Sequence, residues 1–357
     1  MSIFRKKTKV ISVGNLRIGG DNPVIVQSML KNKIDNIKVI KNEIRELEDC
    51  GCEIIRIAIP EKKAISYLKI LLEEKAFKVP VVADIHFDFK LAIECIELGV
   101  DCIRINPGNI GGNERLLEIV KKVKEKNSAI RIGVNSGSIE RKILKKNNGN
   151  IVNSIIDSTL EKVRFLEKLN FFNFKISAKA SSVLDTITVY KTLSDRLAYP
   201  LHLGITEAGP LLGGSVKSAV GIGILLYEGI GDTIRVSLTD RSIFEVKAAY
   251  NILTSLNLRK KGVNIISCPT CGRTKIDLKE IVKEIESLTL NFKENLKIAI
   301  MGCIVNGPGE ARDADIGIAF GKEKAAIFIR GKILKRVNKD MALKEFMDEI
   351  YKLVNLN

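Results

Sequence analysis

Short β-branched runs recur along the first two-thirds of the chain, each followed by a stretch in which apolar residues return every three to four positions. The runs fall at residues 24–27, 53–59, 79–86, 102–106, 130–135, 174–177, 201–206 and 233–238, with amphipathic stretches such as 64–74 and 115–126 between them. Regular alternation of strand and helix predicts parallel βα units, and eight of them predict a closed barrel. Residues 53–59 and 79–85 are almost continuously apolar rather than alternating. Strands buried on both faces read this way, so helices should cover the outside of the sheet.

The pattern changes after residues 242–256, which supply the eighth helix. A polar joint, Arg259-Lys-Lys-Gly, leads to strands expected at 263–267, 296–301, 315–320 and 325–329 and helices expected at 277–287 and 341–354. The fold class is therefore α/β: a (β/α)8 TIM barrel over residues 1–258, which would bind substrate, then a small α+β domain over residues 259–357. A chain of 357 residues suits that division better than two equal halves.

In such a barrel the chemistry sits at the C-terminal ends of the strands, where βα loops vary without disturbing the interior. The sequence places Arg56 in the second strand, Asp84 and His86 at the end of the third, Arg104 and Asn106 on the fourth, and Arg131 and Asn135 on the fifth. Lys175 lies in the sixth, Glu207 follows the seventh, and Arg235 lies in the eighth. A buried cation without a partner costs several kcal/mol, roughly, so cations on successive strands imply a polyanion. Each would otherwise have to pair with a carboxylate inside the mouth. Arginine matches phosphate oxygens with a planar fork and lysine offers a point charge, which makes a phosphate or diphosphate ester the natural ligand. Strand alternation puts Asp84 and His86 on one face, where they could handle protons or simply satisfy each other. Glu207 is a candidate general acid or base, and His202, at the wrong end of its strand, reads as structural.

Composition narrows the partners. The net charge of +16 favours anions, but aromatics are only 5% and Trp is absent, so no segment interleaves basic residues with the aromatics that stack on bases. Nucleic acid is disfavoured. No apolar run approaches the roughly 20 residues that cross a bilayer, and the N-terminus lacks the apolar segment of a secretory signal. A cytoplasmic protein with no membrane association is expected, with its seven cysteines reduced. Cys50, Cys52, Cys95 and Cys102 fall inside barrel elements and read as small buried hydrophobes.

Cys268-Pro-Thr-Cys271 follows one predicted strand of the second domain and Cys303 follows another. A Cys-x-x-Cys alone serves redox pairs, zinc sites and iron–sulfur clusters alike. A redox pair does not need Cys303, and a closed zinc site needs a fourth thiol or imidazole that this domain lacks. A cluster tolerates the mismatch, since its fourth iron could take a carboxylate from Glu310 or stay open. All three readings remain. A metabolite-binding iron–sulfur sensor and a zinc-stabilised barrel lyase are the corresponding alternatives for function.

Eight segments together resemble one family. They are Val82-Ala-Asp-Ile-His-Phe-Asp, Asp101-Cys-Ile-Arg-Ile-Asn-Pro-Gly-Asn-Ile, Ile130-Arg-Ile-Gly-Val-Asn-Ser-Gly-Ser, Phe174-Lys-Ile-Ser-Ala-Lys-Ala-Ser, His202-Leu-Gly-Ile-Thr-Glu-Ala-Gly, Gly229-Ile-Gly-Asp-Thr-Ile-Arg-Val-Ser-Leu, Cys268-Pro-Thr-Cys-Gly-Arg and Gly302-Cys-Ile-Val-Asn-Gly-Pro-Gly-Glu-Ala. In combination they resemble the bacterial 4-hydroxy-3-methylbut-2-en-1-yl diphosphate synthases of the methylerythritol phosphate route to isoprenoids. The resemblance implies a [4Fe–4S] cluster on Cys268, Cys271, Cys303 and Glu310. It implies reductive opening of a cyclic diphosphate substrate, 2-C-methyl-D-erythritol 2,4-cyclodiphosphate, with electrons from reduced flavodoxin or ferredoxin. It also implies a homodimer in which the cluster domain of one subunit closes the barrel of the other.

Overall fold

A computed structural model describes residues 3–180, 182–274, 276–289, 292, 294–303 and 311–355. The chain divides into two compact units between Arg259 and Lys260.

The first unit opens with a hairpin, β1 (Ile11–Val13) and β2 (Leu16–Ile18). Eight parallel strands follow: β3 (Ile25–Met29), β4 (Ile54–Ala58), β5 (Val81–Ile85), β6 (Cys102–Ile105), β7 (Ala129–Asn135), β8 (Phe174–Lys179), β9 (His202–Leu203) and β10 (Thr233–Ile234). They pair in the order β8-β7-β6-β5-β4-β3-β10-β9, and a parallel bridge between Ile176 and Leu201 joins the two ends. The result is the expected (β/α)8 barrel. The intervening helices are α1 (Ile37–Asp49), α2 (Lys62–Glu73), α3 (Phe89–Glu97), α4 (Asn113–Lys126), α5 (Arg141–Lys146), α6 (Ile151–Lys168), α7 (Val183–Arg196), α8 (Leu211–Tyr227) and α9 (Ser242–Ser255). Their apolar stripes, such as Ile40, Ile44 and Leu47 on α1, bury against the outer faces of the strands.

The hairpin was not expected, because three-residue strands leave no readable alternation. Its Ile11, Val13 and Ile18 pack with Ile25, Ile54, Val82, Cys102 and Ala129, inward-facing residues near the strands' N-terminal ends. The barrel floor is therefore plugged by apolar side chains, and polar chemistry is confined above it. The seventh and eighth strands are shorter than expected. Arg235, expected within the eighth strand, consequently lies on a loop, and Glu207 stands further beyond the end of the seventh strand than expected.

The second unit is a five-stranded mixed sheet, β11 (Val263–Ser267), β12 (Leu296–Met301), β13 (Ile316–Phe320), β14 (Lys324–Ile329) and β15 (Lys332–Asn338), in sequence order. α10 (Leu278–Leu288) and α11 (Ala342–Asn355) pack on one face through Leu278, Ile285, Phe346, Met347 and Ile350. β15 escaped the sequence pattern because it is an edge strand whose Lys332, Lys335 and Arg336 break any apolar run.

The barrel seam between β8 and β9 rests on little backbone pairing, and Tyr190 of α7 reinforces it. Its buried hydroxyl donates to the His202 carbonyl at 2.5 Å and accepts from the Ala178 amide at 3.2 Å. Tyr190→Phe should therefore lower barrel stability by about 1–3 kcal/mol, the cost of stranding two buried backbone groups. Thermal unfolding checks this; an unchanged Tm would show the seam does not need the clasp.

Candidate active site in the barrel mouth and a cysteine site in the second unit

Strand alternation turns Arg56, Asp84, Arg104 and Arg131 toward the barrel interior, and their registers bring them together. Asp84 is the anionic centre. Its Oδ1 lies 3.1 Å from Arg104 Nη1, and its Oδ2 lies 3.6 Å from both Arg56 Nε and His86 Nε2. Burial alone would raise this carboxyl, but Arg56, His86 and Arg104 outweigh it and hold Asp84 well below the usual carboxylate range. Arg104 Nη1 also lies 3.0 Å from His86 Nε2. A guanidinium only donates, so in the neutral ring Nε2 accepts and the proton sits on Nδ1. The His86 side chain is about half exposed, which leaves that proton accessible.

Arg104 lies flat because β7 offers no side chain beneath it. A Cβ at Gly133 would come within 2.6 Å of Arg104 Nε. Arg131 is buried, with Nε donating to Ser177 Oγ at 3.1 Å and Nη1 lacking a protein partner among the described residues. Burial, with Arg56 and Arg104 nearby, presses its pKa well below the usual value. A guanidinium does not release its proton near neutrality, so that pressure is a demand for an anion.

The sixth strand departs from expectation. Lys175 stands near the N-terminal, floor end of β8, fully buried, with Nζ unpartnered among the described residues. Burial pushes it down to about 8, and Arg131 adds to the shift. The lysine at the mouth end of β8 is Lys179, two alternations further on. It is buried, its pKa is pressed well below the usual value by burial, then by Arg131, Arg235, Arg56 and Arg104, and it forms no ion pair among the described residues. Gly204 makes room for it, since a Cβ there would lie 2.8 Å from Lys179 Nζ. The period-two sequence Lys175, Ser177, Lys179 is the signal that marks this residue, two positions past the expected strand end at 177.

Arg235 follows β10 and is paired, its Nε 3.2 Å from Glu245 Oε2 and its Nη2 3.3 Å from Oε1. Glu245, a first-turn residue of α9, carried no sequence signal. Asn106 and Asn135 build turns: Asn106 Oδ1 accepts from the Gly108 amide at 3.1 Å, and the Asn135 side chain accepts from the Ser138 backbone. Glu207 is exposed, has a left-handed backbone with φ +52°, and makes no hydrogen bond to the Asp84–His86 pair among the described residues. His202 is buried and its pKa is pressed far down by burial and by the cations Arg131, Lys179, Lys175 and Arg56, so the ring is neutral. Its Nδ1 meets Thr233 Oγ1 at 2.8 Å.

In the second unit, Cys268 and Cys271 lie on the loop after β11 and Cys303 on the loop after β12, and β11 and β12 are adjacent and parallel. The Gly302 amide donates to Cys268 Sγ at 3.2 Å, which links the two loops. Hydrogen bonds from the Arg273 backbone and side chain lower the Cys271 thiol below its ordinary value. All three thiols are free, and no three metal-binding side chains converge among the described residues. Glu310 lies outside the described residues. The donor set still suits an iron–sulfur cluster: three free thiols on neighbouring strand-end loops, with a glycine amide close to sulfur. Cys52, Cys95 and Cys102 are buried and Cys50 partly so. Among the described residues no helix is long and apolar enough to cross a membrane.

Together these features define a (β/α)8-barrel protein with a cation-rich mouth and an α+β unit carrying three free cysteines. The model of the GcpE TIM-barrel domain matches residues 8–250, and that of the GcpE protein C-terminal domain matches residues 264–352. The chain belongs to the GcpE family. It is 51% identical over 351 residues to the 4-hydroxy-3-methylbut-2-en-1-yl diphosphate synthase (flavodoxin) of Caldanaerobacter subterraneus subsp. tengcongensis, covering 98% of both chains. It is 48% identical over 352 residues to the protein of the same name from Lawsonia intracellularis, again covering 98% of both. Among solved structures, Yersinia pestis dihydropteroate synthase superposes with a TM-score of 0.50 at 12% identity, over 70% of this chain and 97% of that one. That likeness is one of fold alone.

Lys175 provides a pH-dependent test of its depth. With its folded pKa near 8 and an unfolded value near 10.5, the charged amine costs stability below pH 8, and the cost fades as pH rises toward 10.5. Lys175→Met should raise stability by about 3 kcal/mol at pH 7 and by little at pH 10.5. Denaturant unfolding at the two pH values checks it, and a pH-independent difference would refute the assignment.

Proposed function

We propose that this chain converts 2-C-methyl-D-erythritol 2,4-cyclodiphosphate to 4-hydroxy-3-methylbut-2-enyl diphosphate and water, using a resident [4Fe–4S] cluster and reduced flavodoxin or ferredoxin. The carrying observation is the cationic mouth, where Arg56, Arg104, Arg131, Lys179 and Arg235 gather and, among the described residues, only Asp84 and Glu245 form ion pairs with these five. The relatives' names, which specify this product and flavodoxin, support the same reading.

Arg56, Arg104, Arg131 and Arg235 hold the diphosphate, with the Asn106 and Asn135 amides at the rim. Lys179 takes the place first expected for Lys175. Ring opening breaks an ester C–O bond and turns a cyclic diester with two anionic oxygens into a terminal diphosphate with three. The overall change takes up two electrons and one proton and releases water. A mouth with excess positive charge therefore binds the developing charge more strongly than the starting one, which lowers the barrier.

Cys268, Cys271, Cys303 and Glu310 would hold the cluster. When bound, the cluster supplies electrons singly and a Lewis-acidic iron. Glu207 provides the proton for the departing hydroxyl, and Asp84 fixes Arg104, whose Nη1 donates to His86 Nε2 and keeps that ring oriented for a supporting proton transfer. A homodimer is part of the proposal. Leu212, Val216, Val220, Ile224 and Tyr227 form an exposed apolar stripe along α8, which supports self-association.

Anaerobically purified protein should contain about four iron and four acid-labile sulfide per chain. Stoichiometric zinc without sulfide would overturn the cluster. In a viologen-driven assay, Glu207→Gln should keep the cluster absorbance and substrate affinity while losing turnover; full activity would remove Glu207 from proton transfer.

A further inference from the structure

Glu245 reaches from the first turn of α9 to the strand ends, and its carboxylate is fully buried. Oε2 accepts from Ser28 Oγ at 2.9 Å and Arg235 Nε at 3.2 Å. Oε1 accepts from the Leu238 amide at 3.0 Å, Lys31 Nζ at 3.0 Å and Arg235 Nη2 at 3.3 Å. Lys31 Nζ also donates to the carbonyls of Leu238, at 2.6 Å, and Asp240. One carboxylate thus ties β3 to the loops that follow β3 and β10. Its fork occupies the Nε and Nη2 edge of Arg235, an edge that would otherwise bind a phosphate bidentately.

We propose that Glu245 is a positioning residue that limits the affinity of the mouth: it leaves Arg235 to meet the anion chiefly through Nη1 and withholds the Lys31 charge from it. The inference rests on the reading of the mouth as a diphosphate site. Its consequence is product release. A mouth in which every cation engaged the ligand would hold the more highly charged product most tightly, and departure would limit turnover. Glu245 prevents that by satisfying two cations before ligand arrives.

The test is calorimetric titration of the full-length protein with inorganic pyrophosphate, beside the viologen-driven assay. Glu245→Gln keeps the shape and one acceptor but deletes the charge, so pyrophosphate should bind more tightly, by about tenfold for one added unit charge nearby. Its kcat should fall while KM stays level or drops, and product inhibition should strengthen. Glu245→Asp retains the charge and should return pyrophosphate affinity toward wild type. General structural damage would weaken binding instead. Unchanged or weaker binding in a folded Glu245→Gln protein overturns the inference. If that variant does not fold, the double variant Lys31→Met, Glu245→Gln, which restores the buried charge balance, is compared with Lys31→Met: tighter binding supports the proposal and equal or weaker binding refutes it. A wild-type protein that binds no pyrophosphate would instead remove the diphosphate reading itself.

Discussion

Positive charge buried without enough negative charge to match it is the constraint that organises the barrel. Arg56 and Arg104 share Asp84, Arg235 and Lys31 share Glu245, and Arg131, Lys175 and Lys179 have no carboxylate partner among the described residues. Each unmatched ion costs stability that the apolar shell between strands and helices must offset. A fold tolerates such an expense where an anionic ligand supplies the missing charge. The same imbalance accounts for local features that otherwise weaken strands, such as Gly133 under the Arg104 guanidinium and Gly204 beside the Lys179 amine.

The two ends of the barrel are built from opposite materials. At the floor the hairpin inserts Ile11, Val13 and Ile18 among apolar residues, and water is excluded. Polarity increases toward the C-terminal ends of the strands, from Lys175 and Cys102, through Arg131, Asp84 and His202, to Lys179 and His86. Burial above the floor lowers the pKa values of Lys175 and Lys179, with neighbouring cations adding to it, whereas Asp84 is lowered by Arg56, His86 and Arg104 against the effect of its burial. The second unit keeps its reactive groups at the margin instead. Its core of Ile298, Ile300, Ile316, Ile318 and Phe346 carries no chemistry, and the thiols stand on loops just beyond it.

Much of this was legible in residue order. Arg56, Arg104 and Arg131 were recognisable because parallel strands buried on both faces rarely carry charge, so each exception marks an interior position with a purpose. Asp84 and His86 were paired by strand alternation alone, and the structure brings them within 3.6 Å. The pattern failed where its local signal ran out. The expected strand 174–177 stops two residues short of β8's observed end at Lys179, so its pattern does not show the lysine at the mouth. Glu207 was read as a strand-end carboxylate, yet its positive φ puts it on a turn. Glu245 looked like any acidic residue in a helix's first turn, a place that usually faces solvent.

The sequence by itself determined the alternation of strand and helix that makes the parallel barrel, and it marked most of the inward cations and the three thiols, because periodicity and residue type are local properties; the hairpin, β15 and Lys179 lay beyond that signal. Tertiary structure alone decided which charges meet. Asp84 serves Arg56 and Arg104, and Glu245 serves Arg235 and Lys31, across separations that no local pattern encodes. Depth was likewise invisible: Lys175 and Lys179 are both inward lysines of one strand, but barrel closure buries the first near the floor and delivers the second to the mouth. Pairing and depth both follow from closing eight strands into one ring, and a charge acts over distance in space rather than along the chain.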